Sequence, residues 1–200
     1  MCILPGMKFC SECGQPIRIE VPEGDNRPRH VCAHCHTIHY QNPKIVTGTL
    51  PVWQDQVLLC RRAIEPRYGS WTLPAGFMEN GETMDAAAER ESREEANANL
   101  DISQLYTVIS LPHINQVYVM YLATLRDCDF HPGSESLEVK LFTQQEIPWQ
   151  ELAFRTIHFT LERYFEDQQR QTFPLHTHAI YANNREPEAD HASSPPPGTD

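Results

Sequence analysis

Glu91 and Glu95 carry the sharpest chemical signal in the chain. They lie in GFMENGETMDAAAERESREEANA, Gly76 to Ala98, a stretch rich in Ala, Glu and Arg. On a helix they face each other at i,i+4, with no basic residue at helical spacing, so their charges repel. Glu94 adds a third acid on that side, whereas Glu89–Arg93 and Arg90–Glu94 are ordinary i,i+4 ion pairs. A divalent cation resolves the conflict, because Mg2+ takes a few carboxylates and completes its shell with water and substrate phosphate. The cluster therefore predicts phosphate-directed hydrolysis. A second signal is the pair Cys10-x-x-Cys13 and Cys32-x-x-Cys35, spaced as two knuckles that close a tetrahedral zinc site. Four thiolates leave zinc no open position, so its expected role is structural. Disulfides or a redox pair are the competing readings, weakened by the absence of a βαβ context. His30, His34, His36 and His39 crowd the second knuckle; one could replace a cysteine ligand, but beside four thiolates they read as surface residues.

These groups need positioning. Residues 8–40 are turn-rich, with Gly14, Pro16, Pro22, Gly24 and Pro28 between short apolar pieces, too few to form a core without a metal. Residues 1–7 read as an N-terminal extension. From Ile45 the signals become those of a mixed domain over 41–167. Ile45–Val52 and Gln56–Cys60 predict strands joined by a tight turn near Gln54 and Asp55. Thr83, as cap, opens a helix that runs to about Ala96. Tyr106–Ser110, Val117–Leu125 and Val139–Phe142 return to strand composition. A last helix, Trp149 to Phe165, puts Phe154, Ile157, Leu161, Tyr164 and Phe165 on one stripe. The polar stretch 168–200 is expected to be disordered.

Composition sets limits. A formal charge of −11 argues against a general nucleic-acid or anionic-membrane partner. Within the ribbon, Lys8, Arg18, Arg27 and Arg29 cancel Glu12, Glu20, Glu23 and Asp25. No apolar run approaches the roughly 20 residues of a membrane helix, and Met1–Cys10 is too short for a secretory leader, so the expected location is cytoplasmic.

Gly76, Glu82, Arg90-Glu91 and Glu94-Glu95 resemble the Nudix box, Gly-x5-Glu-x7-Arg-Glu-U-x-Glu-Glu-x-Gly-U, at every charged position. Ser92 stands where an aliphatic residue is usual, which predicts weaker local packing. Asn97 replaces the last glycine, and Asn tolerates the left-handed backbone that ends a helix. The resemblance is to zinc-ribbon members of the family, related to NADH pyrophosphatases and to ADP-ribose or FAD pyrophosphatases. It implies an α/β fold, a mixed sheet sandwiched between helices, with an N-terminal zinc ribbon. It implies Mg2+ or Mn2+ held by Glu91, Glu94, Glu95, the Ala75 carbonyl and Glu135, with Glu138 as the competing choice. Arg90 would orient the glutamates. Tyr40 matches a substrate-contacting tyrosine, and Pro112 looks like the proline that marks ADP-ribose pyrophosphatases. Arg61 and Arg62 end a strand near the expected pocket. Arg61, with Tyr40 and His113, makes the substrate-binding set; Arg61 and Arg62 either meet phosphates or are only solvated, and His113 and Asn115 either line the pocket or shape a turn. The SQPWPFP-type motif of NADH pyrophosphatases is missing, with SLPHINQ at Ser110–Gln116 in its place. The expected substrate is a nucleotide-type small molecule, ADP-ribose or FAD, cut to release AMP. The alternatives are NADH/NAD hydrolysis and a non-catalytic nucleotide-sensing module. Related enzymes are often homodimers.

Overall fold

A computed structural model of the chain describes residues 6–182. It divides into two compact units at Asn42/Pro43. In the first, β1 (Ile17–Glu20), β2 (Arg29–Cys32) and β3 (Ile38–His39) form an antiparallel sheet in that order. Its buried apolar residues are few, Cys10, Val31 and Cys32, so burial alone holds little of it. His30 is buried too and His39 Nε2 lies 3.3 Å from Cys10 Sγ, so these two histidines are not the surface residues expected.

The second unit is built on a mixed sheet. Its strands are β4 (Lys44–Trp53), β5 (Gln56–Arg62), β6 (Trp71–Thr72), β7 (Ala75–Phe77), β8 (Leu100–Leu111), β9 (Gln116–Leu125), β10 (Ser136–Phe142) and β11 (His176–Ala179). The path runs β10-β5-β4-β9-β8-β11, with β6 on β5 and β7 on β4. The expected hairpin is β4–β5, and Gln54 makes the turn with φ 57°. Pairing is antiparallel except for β4–β9 and β8–β11.

Two helices cover the sheet, α1 (Met84–Ala96) and α2 (Arg155–Arg170). Alternation along β5 shows that they take opposite faces. Val57 and Leu59 pack with Ile157, Leu161, Tyr164 and Phe165 of α2, whereas Leu58 and Cys60 pack with Ala96 and Ala98. Thr83 caps α1 by accepting from the Ala86 amide, and Asn97 ends it at φ 49°. Ser92 is fully buried and donates to Ala88 O at 2.8 Å, with Thr49 Oγ1 at 2.7 Å. The serine is a satisfied polar link from α1 to β4.

Two boundaries also differ. The last helix does not start at Trp149: a 3-10 turn covers Trp149–Glu151, and then Leu152 bridges Trp71 and the Ala153 amide donates to Trp71 O at 2.8 Å. That extended backbone postpones the helix to Arg155. Nor is the chain disordered from 168. α2 runs on to Arg170, and β11 pairs with β8 because buried Asp167 accepts from Tyr106 at 2.7 Å and meets His176 Nε2 at 2.6 Å. Phe173 stacks on Tyr164, 5.8 Å between centroids. The rest of the expected tail, 183–200, lies outside the described residues.

Candidate active site

In the first unit the four cysteine sulfurs lie within 4.8 Å of one another. The Cys13–Cys32 and Cys13–Cys35 separations are 3.5 Å and Cys10–Cys35 is 3.6 Å. A disulfide needs about 2.05 Å, whereas a tetrahedron with Zn–S bonds of about 2.3 Å has edges of about 3.8 Å. Amides of Glu12, His34 and Cys35 point at Sγ of Cys10 or Cys32, favouring thiolate. The Thr37 hydroxyl and amide hold the Cys35 thiol down to about 6. This donor set fits zinc.

In the second unit a cavity of about 940 Å3 opens beside α1. One end is acidic. Glu91 and Glu95, one turn apart on α1, are 8% and 6% exposed. Burial pushes the Glu91 carboxyl upward despite the Arg90 guanidinium, and Glu94 and Glu135 add to the rise. Burial, then the charge of Glu91, raises Glu95 to about 8. Glu95 Oε2 is buried with no hydrogen-bond partner. A buried carboxylate oxygen left in this state costs free energy that a cation would recover.

Local sequence explains how these groups come together. β7 brings Ala75 and Gly76 to the cavity wall, and a Cβ at Gly76 would overlap the Glu91 carboxylate. Gly133 lies against the Glu94 carbonyl so closely that a side chain there would overlap it. Its amide donates to Glu95 O at 3.0 Å, which folds the following loop over the end of α1. The Ala63 amide then fixes Glu135 O at 2.8 Å, and Glu135 lines the acidic end. Glu138 instead lies beside Arg61, at 3.8 Å, and does not line the cavity.

Arg90 organises the cluster. It reaches Glu82 at 2.7 Å, Glu91 at 2.7 Å, Glu94 at 3.1 Å and Phe77 O at 3.2 Å. It is therefore more than the Glu94 partner that spacing indicated. The glutamates are splayed about this guanidinium. Among the described residues, the cysteine quartet is the group of three or more ligating side chains whose donor atoms all close within 4.8 Å. Hard oxygen donors, mutual repulsion and the orphaned Glu95 Oε2 nevertheless fit a divalent cation.

The substrate-binding set is only partly brought together. Arg61 is turned away from the cavity: it donates to Gly69 O at 2.9 Å and lies 6.0 Å from the Trp71 ring. Successive residues of a strand face opposite sides, and the cavity falls to Arg62. Pro112 opens a 3-10 turn that puts His113 and Ile114 on the wall, with His113 Nδ1 3.1 Å from Ile180 O. Asn115 ends that turn at φ 53° and does not line the cavity. Tyr40 belongs to the first unit, exposed, with the Arg29 guanidinium 5.1 Å from its ring. Spacing gave no sign of Phe77, Tyr118, Phe154, Arg155, Ile180 or Tyr181, which also line the cavity. Tyr118 was open to discovery as the inward position of an alternating strand; Ile180 and Tyr181 fell in the stretch read as tail.

Residues 43–173 match the family described as NUDIX domain, and residues 8–41 match the one described as Nudix N-terminal. The chain belongs to the Nudix hydrolase family. A solved Nudix hydrolase from Nitrosomonas europaea is 56% identical, with TM-score 0.85, covering 88% of this chain and 99% of that one. An ADP-ribose pyrophosphatase from Streptococcus suis shares the Nudix fold at TM-score 0.55 and 19% identity, over 70% of this chain and all of that one, 100%. An NAD-capped RNA hydrolase, NudC, of Edwardsiella ictaluri is 28% identical over 144 residues, 70% of this chain and 53% of its own. This Nudix chain thus spans about half the length of the curated relatives it matches. No helix among its described residues is long and apolar enough to cross a membrane.

Proposed function

We propose that the chain hydrolyses the pyrophosphate bond of a nucleoside diphosphate joined to a second moiety, with ADP-ribose or FAD as the favoured substrates and AMP as one product. The observation that carries this reading is the buried pair Glu91 and Glu95, with an unpartnered carboxylate oxygen, at the end of a cavity large enough for a nucleotide conjugate. Glu91, Glu94, Glu95, the Ala75 carbonyl and Glu135 would hold Mg2+ or Mn2+, and the cysteines Zn2+. A divalent cation there supplies charge neutralisation for the diphosphate and makes water a better nucleophile. The chain's own contribution is positioning. Arg90 ties Glu82, Glu91 and Glu94 to the backbone of β7. Arg62 offers positive charge on the same wall, close enough to oppose the rise of Glu95. Burial excludes bulk water from two of the acids and strengthens each interaction between them. The complete acidic set favours catalysis over a purely sensing role.

A second reading, NAD or NADH as substrate, draws on the relatives named as NAD-capped RNA hydrolases. The missing SQPWPFP-type motif speaks against it. A panel of ADP-ribose, FAD, NADH, NAD-capped RNA and nucleoside triphosphates, assayed with Mg2+, decides between them. Highest kcat/KM on ADP-ribose or FAD is expected; strong turnover of NADH or a triphosphate with neither favourite cut would overturn the preference.

A further inference from the structure

The four cysteine sulfurs do not share one environment. Cys35 is exposed, with the Thr37 hydroxyl 3.1 Å from its sulfur, whereas Cys10 and Cys32 are 3% and 0% exposed. Water has little access to these two, and a closed set of four thiolates around Zn2+ carries about two excess negative charges. Each buried sulfur then needs donors from the protein. Cys32 Sγ has two, the amides of His34 and Cys35, both at 3.4 Å. Cys10 Sγ has one amide, that of Glu12 at 3.4 Å. Its second neighbour is a side chain from β3: His39 Nε2, 3.3 Å away and 29 residues on in the sequence.

Backbone pairing delivers the imidazole to that place. β3 is held against β2 with His39 opposite His30 and Ile38 opposite Val31, and the Cys32 amide donates to Thr37 O at 3.0 Å. The ring stands outside the quartet, whose sulfurs close within 4.8 Å of one another without it. It is not a fifth ligand, because four thiolates complete the tetrahedron. A metal-bound thiolate has no proton to give, so a ring nitrogen at this distance is favourable only as an N–H donor. Among the described residues, His30, His34 and His36 bring no ring nitrogen to a cysteine sulfur.

We propose that His39 is a positioning residue of the ribbon's metal site, donating Nε2–H to the Cys10 thiolate and so fixing that sulfur's orientation and offsetting its buried charge. It gives Cys10 the second donor that Cys32 takes from the backbone. The proposal rests on the zinc reading of the four cysteines and is independent of the reaction at the glutamates. Partners that hydrogen-bond to a metal's ligands change its affinity by about 10–100-fold.

The full chain is titrated with Co2+, and the thiolate-to-cobalt charge-transfer absorption is followed. This band reads the cysteines alone, since carboxylate ligands do not produce it. His39→Phe keeps an aromatic ring without a donor. It should weaken Co2+ binding at the cysteines by about tenfold and move the band to longer wavelength, because a thiolate relieved of a hydrogen bond gives up an electron more readily. His39→Gln returns an N–H at similar reach and should recover most of the affinity and of the band position. His34→Ala should change neither. Wild-type affinity and band position in His39→Phe, or a loss that His39→Gln fails to recover, would overturn the proposal with the zinc reading intact. A missing band in the unmutated chain would overturn both.

Discussion

Glu95 is the residue on which the site's electrostatics turn. Buried, facing Glu91 and with one oxygen unpartnered, it holds its proton up to about pH 8 in the absence of metal. The unfolded chain releases the same proton near the ordinary carboxylate value of about 4.3. Between those values the folded state binds more protons than the unfolded one, so this group's contribution to stability falls as pH rises from about 4.3 to about 8. Glu95→Gln should therefore raise the melting temperature of the metal-free protein at pH 8 by several degrees, with little change at pH 4, read by scanning calorimetry. On the proposed function the same variant should lose turnover by at least about 100-fold, since it would remove one carboxylate and one charge from the proposed cation site. An unchanged melting temperature at pH 8 would show that Glu95 is already ionised and solvated. Gly76 and Gly133 matter at this scale for a steric reason, because each leaves room that a Cβ would take from Glu91 or from the Glu94 carbonyl. The Nudix box contains the first; the second carries no sequence signal, because its partner is a backbone atom distant in sequence.

At the scale of elements, the latch between α2 and β11 is the feature with the most to test. Asp167 accepts from Tyr106 of β8 and meets His176 of β11, so one buried carboxylate ties three elements together. Burial, then the hydrogen bond to Asp167, pushes the Tyr106 phenol above its ordinary range. Asp167→Ala leaves a buried tyrosine hydroxyl without an acceptor, and the expected loss is about 1–3 kcal/mol in urea unfolding. Amides 176–179 should exchange faster in the variant, while those of α1 should not. Loss of stability without faster exchange at β11 would mean that the strand is held by β8 pairing alone. Spacing could not reveal this latch: Asp167 sits past the apolar stripe, and His176 lies in a run whose composition gives no strand pattern.

At the scale of the molecule, the chain joins a unit gathered about four cysteines, with little buried apolar surface, to a unit held by a core. The first buries Cys10, Val31 and Cys32 as its apolar residues, whereas the second encloses an extended cluster from Leu50 to Phe165. Elemental analysis of the purified full chain should find one zinc. Cys32→Ser should lose it, and hydrogen exchange should then speed up across residues 8–41 but not in the buried strands of 43–173. Zinc retained in Cys32→Ser, or a ribbon still protected without metal, would show that burial alone holds it. By itself the sequence determined which chemistry was present. Four cysteines in two knuckles, the charged positions of α1, and strands rich in β-branched and aromatic residues are local patterns, and local spacing and composition are what a sequence displays. Tertiary structure decided what spacing does not encode: that Arg62 and not Arg61 meets the cavity, that Glu135 and not Glu138 joins the acids, and that residues 180–182, carried back by β11, build its wall. Each depends on which face of a strand meets which helix, or on a contact between distant segments, and burial fixes those only when the whole sheet is assembled.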